Sequence, residues 1–89
     1  MISKEIIVQN EVGLHARPAT FFIQKANEFK SLITIARDDR KVNAKSLLGV
    51  LSLGIIKGTK VVIEAEGPDE QEAVEELNKL IMSNFSDIE

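Results

Sequence analysis

The sequence predicts an α+β fold, a two-layer open-faced sandwich in which a four-stranded antiparallel sheet carries three helices on one face (βαββαβα). Three observations predict it. From Lys60 to Glu66 the residues Val61, Ile63 and Ala65 alternate with Lys60, Val62, Glu64 and Glu66, the period-2 signature of a half-buried strand. Two longer stretches place apolar residues at helical spacing, first Ala19, Phe22, Ile23, Ala26 and Phe29, then Ala73, Val74, Leu77, Leu80 and Ile81. The order of elements (strand, helix, hairpin, short helix, strand, long helix) lets every apolar face be buried by laying the helices on one side of a single sheet.

Taken in order, Ile2 to Val8 reads as the first strand, with Ile2, Ile6 and Val8 on one face and Ser3, Glu5 and Ile7 on the other. Gln9 to Leu14 is a loop containing Gly13. The first helix is predicted from about Ala16 to Phe29, with Pro18 in its first turn, where a missing N–H costs no intrahelical bond. Leu32 to Ala36 and Lys41 to Ala44 form a hairpin across the polar turn Asp38-Asp39-Arg40, and without an Asn-Gly or Gly-Gly pair the turn type stays open. Ser46 reads as the N-cap of a short helix from Leu47 to Leu53, stopped by Gly54 in the left-handed conformation. Asp69 begins the last helix, with Glu72 three residues on as the partner in a capping box.

Composition narrows the function classes. The 89 residues are 44% hydrophobic and 28% charged, the balance of a single globular domain spanning residues 1–89. With no cysteine and one histidine, disulfides, thiolate chemistry and histidine-rich metal sites are excluded, so no metal or cofactor is expected. No apolar run approaches the roughly 20 residues of a membrane helix, and the opening Met1-Ile2-Ser3-Lys4-Glu5 is not signal-like, which predicts a cytoplasmic protein without membrane insertion. A net charge of −3, scattered basic residues and only four aromatic rings, all phenylalanine, argue against nucleic-acid binding.

The chemistry is expected at Gly13-Leu14-His15-Ala16-Arg17-Pro18-Ala19, which holds the only histidine. Such a histidine is commonly a solvated loop residue, and its place beside a helix start is what raises it above that. A helix N-terminus offers free N–H groups and the positive end of a dipole, a cradle for an anion. An imidazole nitrogen there is a nucleophile next to that cradle, and Arg17 adds a permanent charge able to bond phosphoryl oxygens. The same positive charges favour the neutral, nucleophilic ring.

These residues carry a resemblance. Gly13 to Thr20 resembles the active-site motif of HPr, the histidine-containing phosphocarrier family of the phosphoenolpyruvate-dependent sugar phosphotransferase system. Asn43-Ala44-Lys45-Ser46-Leu47-Leu48-Gly49-Val50-Leu51-Ser52-Leu53-Gly54-Ile55 is similar to that family's second motif, around its regulatory serine, and the likeness extends through Glu66 to Ala73. The resemblance implies that His15 accepts a phosphoryl group on Nδ1 from phosphorylated enzyme I and passes it to the IIA domains of sugar permeases. Arg17 is then the charge-neutralising neighbour. Ser46 is implied as the target of HPr kinase/phosphorylase, its phosphorylated form binding the repressor CcpA. The chain is then a carrier and not an enzyme with its own turnover.

A docking face follows from spacing. Arg17, Thr20, Gln24 and Asn27 lie on the side of the first helix away from its core stripe, and Leu47, Leu48, Val50, Leu51 and Leu53 are more apolar residues than one buried stripe requires. Ala16, Thr20, Gln24 and Asn27 are expected as partner contacts together with Leu47, Leu48 and Leu51, the last three favoured by the resemblance, on a protein expected to be monomeric. Two departures stand out. Val12 occupies a place where this family usually has a small polar residue, and Asp38-Asp39 replaces its usual glycine-containing turn. A histidine at position 15 instead of glutamine makes the catalytically silent relative Crh a poor match. The competing readings are a carrier in a nitrogen-type regulatory phosphorelay, against which the Lys45-Ser46 motif argues, and a ferredoxin-like binding module in which His15 is incidental.

Overall fold

The computed structural model describes residues 1–9 and 16–83. Its elements are β1 (Ile2–Ile7), α1 (Ala16–Ala26), β2 (Leu32–Arg37), β3 (Arg40–Asn43), α2 (Leu47–Ser52), β4 (Lys60–Glu66) and α3 (Glu70–Met82). The sheet order is β1-β4-β2-β3 and every neighbouring pair is antiparallel, the expected α+β sandwich. In register, Ile2 faces Ala65 and Ile6 faces Val61, while Ile33 faces Ala65 and Ile35 faces Ile63. Because side chains alternate between faces, this register puts the apolar members of all three strands under the helices together. Val61, Ile63 and Ala65 are buried there with Ala19, Phe22, Ala26, Val50, Ala73, Val74, Leu77, Leu80 and Ile81 in one core cluster.

Several boundaries differ from the sequence reading, each for a local reason. α1 ends at Ala26 and not at Phe29. Beyond the last α-type bond, Asn27 N–H to Ile23 O, the chain tightens to Glu28 N–H on Lys25 O and Phe29 N–H on Ala26 O. Those i→i+3 bonds keep Phe29 on the core side, so its ring is buried outside the helix that its spacing implied. Ile23, expected in the stripe, packs against the core only in part. The hairpin turn is the two residues Asp38 and Asp39, with Arg37 paired to Arg40 and Asp38 alone at positive φ (56°). Aspartate tolerates that conformation better than most residues, which is how the turn forms without glycine.

The capping box does not form. The Asp69 side chain makes no bond to its own helix; it accepts from the backbone N–H of Lys30 (2.9 Å) and Ser31 (3.0 Å) and from the Ser31 hydroxyl. Glu70, one residue on, accepts from Gly67 N–H at 3.1 Å and pairs with the N-terminal ammonium at 3.2 Å. Asp69 thereby ties the α1–β2 connection to the start of α3, where Ser31 is buried. Gly67 is part of the same junction: a Cβ there would stand 2.7 Å from Ser31 Cα, so only glycine lets the two segments close.

The Ser31 hydroxyl, followed by the Lys30 and Ser31 amides, holds the Asp69 carboxyl below its ordinary value of 3.8. A carboxylate with a depressed native pKa stabilises the fold fully above its unfolded value, and the contribution disappears as pH falls through the lowered one. Asp69→Ala is therefore expected to lower the melting temperature by several degrees at pH 7. That gap narrows as pH falls below 3.8. Thermal melts of both proteins from pH 7 to pH 2 check this, and a pH-independent gap contradicts it.

Candidate functional site

Of the site residues expected from the sequence, His15 and the neighbouring Val12 lie outside the described residues, as does the Ala16 side chain. The rest of the face is visible. Arg17 is exposed in the first turn of α1, a turn that carries no acidic side chain, and Pro18 is buried beside it. The positive end of this helix dipole is thus reinforced by a guanidinium and opposed by no carboxylate of the helix. Gln24 and Asn27 are exposed and Thr20 is half-buried, so the polar side of α1 faces outward as its spacing required. Asn27 stands one residue beyond the helix, where its Nδ2 donates to Ile23 O at 2.8 Å.

α2 is built as expected from Ser46. The serine has extended backbone angles (φ −108°, ψ 116°), its Oγ accepts from Gly49 N–H at 3.2 Å, and its carbonyl accepts from Val50 N–H at 3.0 Å. Leu53 is the C-cap, and Gly54 follows at φ 60°. The surplus of apolar residues now divides: Val50 and Leu53 are core, Leu51 is partly buried against it, Leu47 is 38% exposed and Leu48 is 80% exposed. Leu48 is the largest apolar projection from this helix.

Two bonds join the helices. Lys45 Nζ donates to Phe29 O at 2.7 Å, and Asn27 Nδ2 approaches Lys45 O at 3.4 Å. Lys45, read from the sequence as part of a regulatory motif, is thus a clamp between the end of α1 and the start of α2. Arg17 lies near the other end of α1, about 15 Å along the axis from Asn27 at about 1.5 Å per residue. The Lys45–Asn27 junction therefore ties α2 to the end of α1 that lies away from Arg17.

Sequence reasoning missed the two arginines at the far end of α2. Arg40 Nη1 donates to Ser52 O at 2.9 Å and Nη2 to Ser52 Oγ at 3.2 Å, while Arg37 Nη1 donates to Leu53 O at 3.0 Å and also to Gly54 O. A doubled arginine around a turn was the only trace in the chain. Among the described residues no group of three or more His, Cys, Asp and Glu side chains could hold a metal ion, and no helix is long and apolar enough to cross a membrane.

A family model described as the PTS HPr component phosphorylation site matches residues 2–83. The phosphocarrier protein HPr of Neisseria meningitidis serogroup A is 39% identical over 87 residues, covering 98% of each chain. An HPr crystal structure from Thermoanaerobacter tengcongensis superposes with a TM-score of 0.93 at 48% identity, covering 96% of each chain. The expectation that Crh is a poor match needs correction. The Crh protein of Bacillus subtilis is 47% identical over 77 residues, 86% of this chain and 91% of its own. A difference at one reactive position barely moves identity summed over a whole fold. With the sheet order, the capped short helix and the matched span in agreement, the chain belongs to the HPr family of phosphocarrier proteins.

Proposed function

We propose that this phosphocarrier works through His15: the imidazole Nδ1 takes a phosphoryl group from phosphorylated enzyme I, and the IIA domains of sugar permeases take it in turn. In each step one bond to phosphorus forms as another breaks, and the carrier returns to its free imidazole. The observation that supports this most is one of chain position. The only histidine immediately precedes Ala16, the first residue of a helix whose first turn holds exposed Arg17 and no acidic side chain. Dipole, backbone N–H groups and guanidinium all favour the phosphoryl charge, and transfer of this kind relies chiefly on positioning and charge stabilisation.

Arg17, Ala16, Thr20, Gln24 and Asn27 of the α1 side and Leu47, Leu48 and Leu51 of the α2 side form the docking surface in this reading, with the exposed Leu48 as its apolar anchor. Ser46 is the site at which HPr kinase/phosphorylase acts, and the seryl-phosphorylated form binds CcpA. The protein is a single cytoplasmic domain over residues 1–89 and acts as a monomer, although a Crh of Bacillus subtilis has been solved as a swapped dimer. A second reading, a Crh-like regulator that uses Ser46 alone, draws support from the 47% identity to that protein. Histidine at position 15 favours the carrier.

Incubation with phosphoenolpyruvate and enzyme I separates the two. The carrier reading expects an acid-labile phosphate on the parent chain and none on His15→Ala; label retained in that variant removes His15 from the mechanism.

Phosphorylation of Ser46 should act through the partner. It places nearly two negative charges at the start of α2, on the proposed docking surface. Ser46→Asp keeps an N-cap acceptor, so the fold survives, and it is expected to raise the KM of enzyme I for this chain roughly tenfold, about 1.4 kcal/mol. Unchanged phosphotransfer kinetics in that variant count against the surface.

A further inference from the structure

α2 has six residues, no acidic side chain in its first turn and no basic one in its last. Helices much shorter than about 12 residues are marginal on their own, so the order of α2 depends on bonds from outside it. At its start Ser46 supplies one of these bonds. At its end the carbonyls of Ser52, Leu53 and Gly54 are all taken by guanidinium N–H groups from the hairpin, Arg40 on the first and Arg37 on the other two. The Ser52 hydroxyl closes the arrangement, donating to Gly49 O at 2.6 Å while accepting from Arg40. The hairpin register sets the two arginines opposite each other across the Asp38-Asp39 turn, so a single turn delivers both forks to one helix end. They supply both the bonds and the positive charge that the helix lacks.

We infer that Arg37 and Arg40 are positioning residues for partner docking: they hold α2 in the conformation that presents Leu47 and Leu48. The inference rests on the docking surface proposed above. If a fraction of molecules lose the ordered helix, the apparent affinity for a partner falls by that fraction while chemistry within the docked complex does not change.

The test compares the parent with an Arg37→Gln/Arg40→Gln pair and an Arg37→Lys/Arg40→Lys pair, the second keeping the charge without the planar fork. In the glutamine pair the amides of Val50, Leu53 and Gly54, which close the bonds of α2, are expected to lose most of their protection from exchange, with those of Ile35 and Ile63 in the sheet unchanged. In transfer from phosphorylated enzyme I, KM for the chain rises about fivefold with kcat within about twofold. Faster exchange throughout the sheet, unchanged exchange in α2, or a fall in kcat at constant KM overturns the inference. So does a lysine pair that restores KM without restoring protection, because the loss is then one of net charge. Leu48→Asp measured alongside keeps the two readings apart. If it raises KM and the glutamine pair does not, only the role of the arginines fails; if neither does, the docking surface itself fails.

Discussion

Strand β4 comes sixth among the seven elements yet lies inside the sheet, paired with β1 on one side and β2 on the other. Its alternation is the constraint on which the architecture depends. Val61, Ile63 and Ala65 must all face the helices while the backbone on both sides is paired, and a slip of one residue would turn all three to solvent. The pairing runs past the strand ends: Val8 N–H donates to Thr59 O at 2.9 Å and Gly58 N–H to Val8 O at 2.7 Å. Once β4 is seated, β1 carries the chain toward α1, and the hairpin of β2 and β3 packs against α2.

On that frame sit two helices, α1 and α2, that do little of their own stabilising. α1 is held through its buried stripe, and α2 by Ser46 at one end, the arginines at the other and Val50 beneath. Lys45 and Asn27 join the end of α1 to the start of α2, beside Ser46.

Much of this was legible in the chain, for reasons that also explain the rest. The α3 stripe of Ala73, Val74, Leu77, Leu80 and Ile81 and the strand Lys60–Glu66 were read without error, because burial on one face writes its period into the sequence. Ser46 was legible because an N-cap is a local device. Asp69 looked equally local, and the reading failed there because its carboxylate is used by Ser31, 38 residues earlier, a partner that no capping rule can see. Arg37 and Arg40 were invisible for the same reason, their acceptors lying up to 17 residues away. Spacing showed that α2 had apolar residues to spare, but only packing separates exposed Leu48 from buried Val50. At the candidate site the motif pointed to His15, which lies outside the described residues, while overall identity could not distinguish HPr from Crh.

The account stands on a single imidazole nitrogen carrying the phosphoryl group at the head of α1. Nitrogen-15 and phosphorus-31 NMR of the intact chain, recorded after reaction with phosphoenolpyruvate and a catalytic amount of enzyme I, addresses it directly. The account requires a phosphoramidate resonance coupled to Nδ1 of His15. A phosphorus signal confined to serine oxygen, or no phosphoramidate at all, contradicts it.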